Sequence, residues 1–218
     1  MVTATSTMQF HEFGSRSEAS LALARMIAGA LGDALRARSR ATFVASGGGS
    51  PQETYEHLGR NAIDWRSISV LPSDERFVPK DSPRHNLGMI RKTLKVPATY
   101  SELNSETDID SLCPFDVALF GMGDDGHTAS LFPDDPDIDA ALGSKASTHQ
   151  AHVPSLPEAR ISLTPGALHG AGVLCLLMFG AHKRMVFEAA CEPGAAREYP
   201  VRILLRELAA RLHVFWAA

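Results

Sequence analysis

The sequence predicts an α/β fold in which a mostly parallel sheet carries helices on both faces. Three observations predict it. Short apolar runs alternate with amphipathic stretches along the whole chain. The run "FDVALFGM" (115–122) lacks polar alternation, the mark of a strand buried on both faces. Polar and glycine-rich clusters at 46–51, 73–76 and 123–130 each follow such a run directly, and ligand crevices of parallel sheets lie beyond the carboxyl ends of their strands.

The elements follow in order. "SRSEASLALARMIAGALGDALRAR" opens with Ser15 and, three residues on, Glu18, a capping box, and continues with Leu21, Met26, Ile27, Ala30, Leu31 and Leu35 at helical spacing. "ATFVAS" (41–46) is a short strand that stops at three glycines, after which Pro51 stands at the favoured first position of a helix, "PQETYEHLGR". "SISVLP" (67–72) is the next strand and "SPRHNLGMIRKTL" a loop leading into a helix. After the strand at 115–122, Thr128–Leu131 read as the first turn of a further helix, and the Pro- and Asp-rich stretch 132–159 as an irregular excursion. "RISLT" (160–164) and "GVLCLLMFG" (172–180) are strands, "AHKRMVFEAA" is a helix, another starts at Pro200 in "PVRILLRELAARL", and "HVFWAA" is a last apolar piece.

Composition narrows the classes. The chain has 218 residues, 44% hydrophobic and 21% charged, enough for a sizeable core and read as one domain over 1–218. Its formal net charge of −4 gives no basic balance for nucleic acid, so an anionic ligand needs a local site. The three cysteines, Cys113, Cys175 and Cys191, show no CxxC spacing, which argues against a disulfide framework or structural zinc and for a reducing cytoplasm. Cys175 reads as core. The start "MVTATSTMQFHEFGSRSEAS" lacks a secretory h-region, and no apolar run approaches the roughly 20 residues that span a bilayer, so no membrane partner is expected.

Three motifs carry chemistry. In "ASGGGSPQETY", Ser46, Gly47, Gly48, Gly49 and Ser50 lie between strand and helix, where backbone N–H groups can approach an anion. A tight turn needing positive φ explains the same glycines equally well. "LPSDERFVP" sets Asp74, Glu75 and Arg76 after a strand. Taken alone this is a solvated charged turn; at a strand's carboxyl end, Arg76 has the planar donors to bind a carboxylate or a hydroxyl-rich ligand. "GMGDDGHTASLFP" places Asp125 two residues before His127, a carboxylate able to fix the tautomer of an imidazole that exchanges protons near neutral pH. His149 and His152 in "HQAH" have metal-compatible spacing but no third ligand, and read as a surface pair. Arg160 at the start of a strand and Lys183 at the start of a helix read, alone, as a snorkelling arginine and a solvated lysine.

Together, "SGGGSP", "DERFVP", "HNLGMIRKTL" and "GMGDDGHTASLFP", in this order and at these separations, resemble the 6-phosphogluconolactonase family, whose wider superfamily includes the glucosamine-6-phosphate isomerases (deaminases). The match runs from about Ser46 to Lys183. The resemblance implies a Rossmann-like three-layer sandwich, no metal or organic cofactor, and hydrolysis of a phosphorylated sugar lactone in the pentose phosphate pathway by a cytoplasmic monomer or weak homo-oligomer. It implies that Ser46–Ser50 cradle the phosphate with Arg160 and Lys183, that Asp74 and Arg76 line the sugar end, and that Asp125 and His127 form the catalytic centre. The isomerases resemble DGHIAFNEP after the histidine, with an acid before the proline; here Leu131-Phe132-Pro133 has none, which favours the hydrolase branch. Arg76, where isomerases commonly carry an aromatic residue, points the same way. The rival readings are the amino-sugar-phosphate isomerase and a non-catalytic sugar-phosphate sensor. The family commonly carries an aspartate after the last strand's Trp, whereas "HVFWAA" stops at Ala218.

Overall fold

The structure, a computed structural model, describes residues 8–218. Strand β1 (Gln9–Phe13), absent from the sequence-based expectation, leads into helix α1 (Arg16–Arg38). Of the expected capping box the Ser15 half is present: Ser15 is extended and its side chain accepts the Glu18 N–H at 3.2 Å. The buried stripe of α1 is turned from the expected one. It runs through Leu23, Ala24, Ile27, Ala28, Leu31 and Ala34, while Leu21, Met26, Ala30 and Leu35 flank it half-buried. The small residues at 24, 28 and 34 let the helix backbone come close to the sheet, which the larger side chains at 26 and 35 would prevent.

The chain continues through β2 (Ala41–Ala45), α2 (Gln52–Leu58), β3 (Ile68–Pro72), β4 (Asp74–Arg76), α3 (Asn86–Leu94), β5 (Thr99–Tyr100) and β6 (Val117–Gly121). Then come α4 (Ile138–Leu142), β7 (Thr148–Ala151), β8 (Arg160–Leu163), α5 (Pro165–Leu168), β9 (Val173–Phe179), α6 (Ala181–Cys191), α7 (Arg202–Arg206) and β10 (Leu212–Ala217). Seven strands form one sheet in the order β1-β10-β9-β6-β2-β3-β5, every neighbouring pair parallel. Successive β6 residues go to opposite faces: Val117 and Leu119 join Leu23, Ile27, Leu58 and Ile90 under α1–α3, while Ala118 and Phe120 join Ile138, Phe187 and Leu204 under α4, α6 and α7. Three layers result, as expected, because a parallel strand must be covered on both sides. No helix among the described residues is long and apolar enough to cross a membrane.

Two features position the site. From β2 the sheet grows outward through β3 and β5, and from β6 through β9 and β10 in the other direction, so the strand order reverses between β2 and β6. At such a switch point the two following loops diverge and leave a crevice. The second feature was not expected. β4, β8 and β7 form a small antiparallel sheet, tied to the large one where the Ser73 N–H donates to Ala45 O at 2.9 Å and Ser73 O accepts from the Leu163 N–H at 2.9 Å. The stretch 132–159 is therefore irregular only in part: it supplies α4 and β7. Nor do Thr128–Leu131 start a helix. Ala129 has φ +50°, which reverses the chain, and Thr128 and Leu131 bridge each other instead.

Candidate active site

The loop after β2 is shaped by glycine. Gly48 has φ +86°, and a Cβ on Gly48 or Gly49 would meet no atom within 4 Å, so this stretch is open toward the crevice. Gly47 differs: a Cβ there would come within 2.3 Å of the Asn86 amide oxygen, so the loop lies flat on that side chain. Asn86 in turn donates from Nδ2 to the Asp74 carbonyl at 2.7 Å. From below, the fully buried Tyr55 hydroxyl donates to Ser46 O at 2.6 Å, and burial pushes the phenol well above its ordinary range, so it remains a donor. Helix α2 has only seven residues, so the anion-binding capacity of this loop rests on its own amides more than on a helix dipole.

The turn after β6 is packed where the first is open. The Gly123 N–H donates to His127 O at 2.9 Å, Gly126 takes φ +78°, and a Cβ on Gly123 would stand 2.1 Å from the His127 ring. Asp125 Oδ1 accepts the His127 backbone N–H at 3.1 Å and lies 2.6 Å from Nδ1. A carboxylate acceptor keeps a ring proton on Nδ1, so Nε2 is the nitrogen that can exchange one. Burial by itself raises the Asp125 carboxyl, but its hydrogen bond to His127 and the charge of that ring outweigh this and hold it below the ordinary carboxylate range. The His127 ring packs on Phe132, centroids 4.2 Å apart. Without the expected helix start, no helix dipole is aimed at the imidazole. Instead the Ser130 N–H donates to Ser162 Oγ at 3.1 Å and Ser130 Oγ to Asp74 Oδ2 at 2.6 Å.

The small sheet delivers the cations. Its register sets Arg160 of β8 directly across from Arg76 of β4. Glu158 Oε1 lies 2.6 Å from Arg84 Nη2, 3.7 Å from Arg160 Nη2 and 3.9 Å from Arg76 Nε. The Nε atoms of Arg76 and Arg160 are both buried without a hydrogen-bond partner, an arrangement that an incoming anion would relieve. Burial, and then the neighbouring charge of Arg76, pull Arg160 below its ordinary range. Lys183 at the start of α6 donates from Nζ to Met122 O and lies 3.8 Å from Asp124 Oδ1.

The tripeptide Asp74-Glu75-Arg76 is not a solvated turn. Asp74 and Glu75 are buried; Asp74 accepts from Ser73 Oγ at 3.0 Å and from Ser130, and Glu75 accepts the N–H groups of Asn86 and Leu87 at 2.7 and 2.8 Å, capping α3. Burial raises the Glu75 carboxyl, and these bonds to its charged form oppose the rise. His149 is not a free surface histidine either, since its Nε2 is 2.9 Å from the buried carboxylate of Asp135.

One cavity of about 370 Å³ is lined by Ser46 through Ser50, Asp74, Arg76, His127, Arg160 and Lys183. Asp125 does not line it and sits behind the imidazole. Residues to which the sequence assigned no place in the site also shape it: Asn86, Tyr55, Phe132 and Glu158. Asn86 and Phe132 lie inside the motifs already quoted, whereas Glu158 had no signal within a Pro-rich stretch.

Comparison with known proteins gives the chain a family. A family model described as glucosamine-6-phosphate isomerases/6-phosphogluconolactonase matches residues 14–105 and 95–216. The chain is 32% identical over 228 aligned residues to a 6-phosphogluconolactonase of Neisseria meningitidis, covering 95% of this chain and 98% of that one. To a 6-phosphogluconolactonase of Pseudomonas aeruginosa it is 35% identical, covering 94% of this chain and 92% of the other. The crystal structure of a 6-phosphogluconolactonase from Shewanella baltica superposes with a TM-score of 0.91 over 98% of this chain and 99% of that chain, at 29% identity. By its sequence, its fold and the residues gathered at its switch point, the chain belongs to the glucosamine-6-phosphate isomerase/6-phosphogluconolactonase family.

Proposed function

We propose that this protein is a 6-phosphogluconolactonase, hydrolysing 6-phospho-D-glucono-1,5-lactone to 6-phospho-D-gluconate in the oxidative pentose phosphate pathway. The observation that carries the reading is the Asp125–His127 pair, 2.6 Å apart, with its imidazole on the same cavity as the glycine loop, Arg160 and Lys183. The lactonase names of the relatives support it.

In this mechanism His127 Nε2 takes a proton from water as the water oxygen bonds to the lactone carbonyl carbon. Asp125 holds Nδ1–H and stabilises the imidazolium that forms. Charge developing on the carbonyl oxygen is met by loop amides and Arg76. The bond from C1 to the ring oxygen then breaks, and the leaving oxygen takes the proton back from His127. The phosphate, held by the Ser46–Ser50 loop, Arg160 and Lys183, keeps the ring in register without entering the chemistry. Asp74, with both carboxylate oxygens tied to serines, braces the sugar end. Phe132 precedes Pro133, so no carboxylate stands there to support ring opening of an amino sugar.

We read residues 8–218 as one domain, because loops from both halves of the chain line one cavity. The enzyme works as a cytoplasmic monomer or weak homo-oligomer with His127 as the base and no metal or organic cofactor.

The test is a coupled assay on freshly generated lactone, corrected for spontaneous hydrolysis, comparing wild type with His127→Ala. Loss of turnover in the variant is expected. Near-normal turnover there would remove His127 as the base, and ammonia release from glucosamine 6-phosphate by the wild type would overturn the lactonase reading.

A further inference from the structure

The two functional ends of the cavity meet on one side chain. The Phe132 ring lies 4.2 Å, centroid to centroid, from the His127 imidazole at an interplanar angle of 34°, and the Arg160 guanidinium carbon lies over the same ring at 5.4 Å. Phe132 is itself buried, packed with Ala151, Val153 and Leu156 of the segment that carries β7. The ring is thus anchored from behind and presents its π surface to both the base and a cation. Neither partner shows a second side-chain hydrogen bond that would fix its tilt. His127 is held at Nδ1 by the Asp125 bond and flanked by Gly123, and Phe132 supplies the aromatic face against its ring. Arg160 has a 3.7 Å approach to Glu158 and an Nε without a partner. An aromatic face limits both motions, because an imidazole and a guanidinium each gain most when held against a ring at van der Waals distance.

We propose that Phe132 is a positioning residue that sets His127 and Arg160 in one common register, so that base and phosphate ligand are held at a fixed separation by a single ring. This rests on the lactonase reading above. Its signature differs from those of its two partners: loss of His127 strikes kcat and loss of Arg160 strikes KM, but loss of the Phe132 ring strikes both.

The experiment measures lactone hydrolysis and, independently, inorganic phosphate binding by calorimetry, in wild type, Phe132→Leu and Phe132→Tyr. Phe132→Leu is expected to lower kcat about 10- to 100-fold and raise KM about fivefold, with the phosphate dissociation constant rising alongside KM; Phe132→Tyr, which keeps the ring, stays within about threefold of wild type on all three. Added to Arg160→Ala, Phe132→Leu is expected to cause no further rise in KM; added to His127→Ala, no further fall in kcat. Additive effects in either background, or a Phe132→Leu enzyme with only a lowered melting temperature, would overturn the proposal. Should Phe132→Leu fail to fold, Phe132→Met, which fills the space without a π face, carries the same comparison. A wild type that binds phosphate but leaves the lactone intact would sink the lactonase reading instead, and the phosphate measurements would still decide the Arg160 half.

Discussion

The site is built from two glycine turns at neighbouring strand ends that use the residue in opposite ways. After β2, Gly48 and Gly49 face empty space, so the room freed by the missing side chains stays open to the cavity. After β6, that room is already filled by the protein. Cβ atoms on Gly123 and Gly126 would collide with the His127 ring and with Tyr199 Cδ1, at 2.1 and 2.5 Å. Glycine therefore makes a receptacle in one turn and a mould for a side chain in the other. The first should tolerate change in proportion to what the ligand loses, the second hardly at all.

The sharpest way to break this contrast is at the chemistry. His127→Ala is expected to lower kcat by about 10²- to 10⁴-fold while inorganic phosphate affinity stays near wild type, read by coupled assay and calorimetry. Gly123→Ala should come next, with kcat falling about 100-fold as the imidazole is pushed off Asp125, at little change in KM. On the anion side, Lys183→Ala or Arg160→Ala should raise KM about tenfold or more and leave kcat within about twofold, and an unchanged KM would remove that residue from the phosphate site. Gly49→Ala, which meets nothing, should move KM by less than about threefold; a loss as large as that of Gly123→Ala would erase the distinction between the turns.

The smallest effect is a pH dependence of stability. The Asp125 carboxyl is held below its ordinary range when folded, so its contribution is complete above the unfolded pKa and disappears as pH falls through the folded one. Because the side chain is about half exposed, that contribution is under about 1 kcal/mol. Urea unfolding of wild type and Asp125→Asn should therefore differ slightly at pH 7 and converge as pH falls below the ordinary carboxylate range. A gap that widens in acid would reverse the sign.

Much of this was legible in the chain. The strand runs, the Ser15 cap and the Asp125–His127 spacing are local features whose physics acts over a few residues, and each appears in the structure. Thr128–Leu131 follow a glycine turn as a helix start would, but Ala129 at positive φ, with Ser130 tied to Asp74 and Ser162, makes them a chain reversal.

What the sequence by itself determined was the main strands β2, β3, β6 and β9, the helices α2, α3 and α6, and the identity of the groups at the strand ends, since period and turn chemistry are written in neighbouring residues. What only the tertiary structure decided was who meets whom. The antiparallel β4–β8 pairing sets Arg160 across from Arg76, Asn86 supports Gly47, and Phe132 backs His127. The first and second of these contacts join residues dozens of positions apart, and the third depends on a chain reversal at Ala129; packing selects such contacts, and no repeat in the sequence announces them.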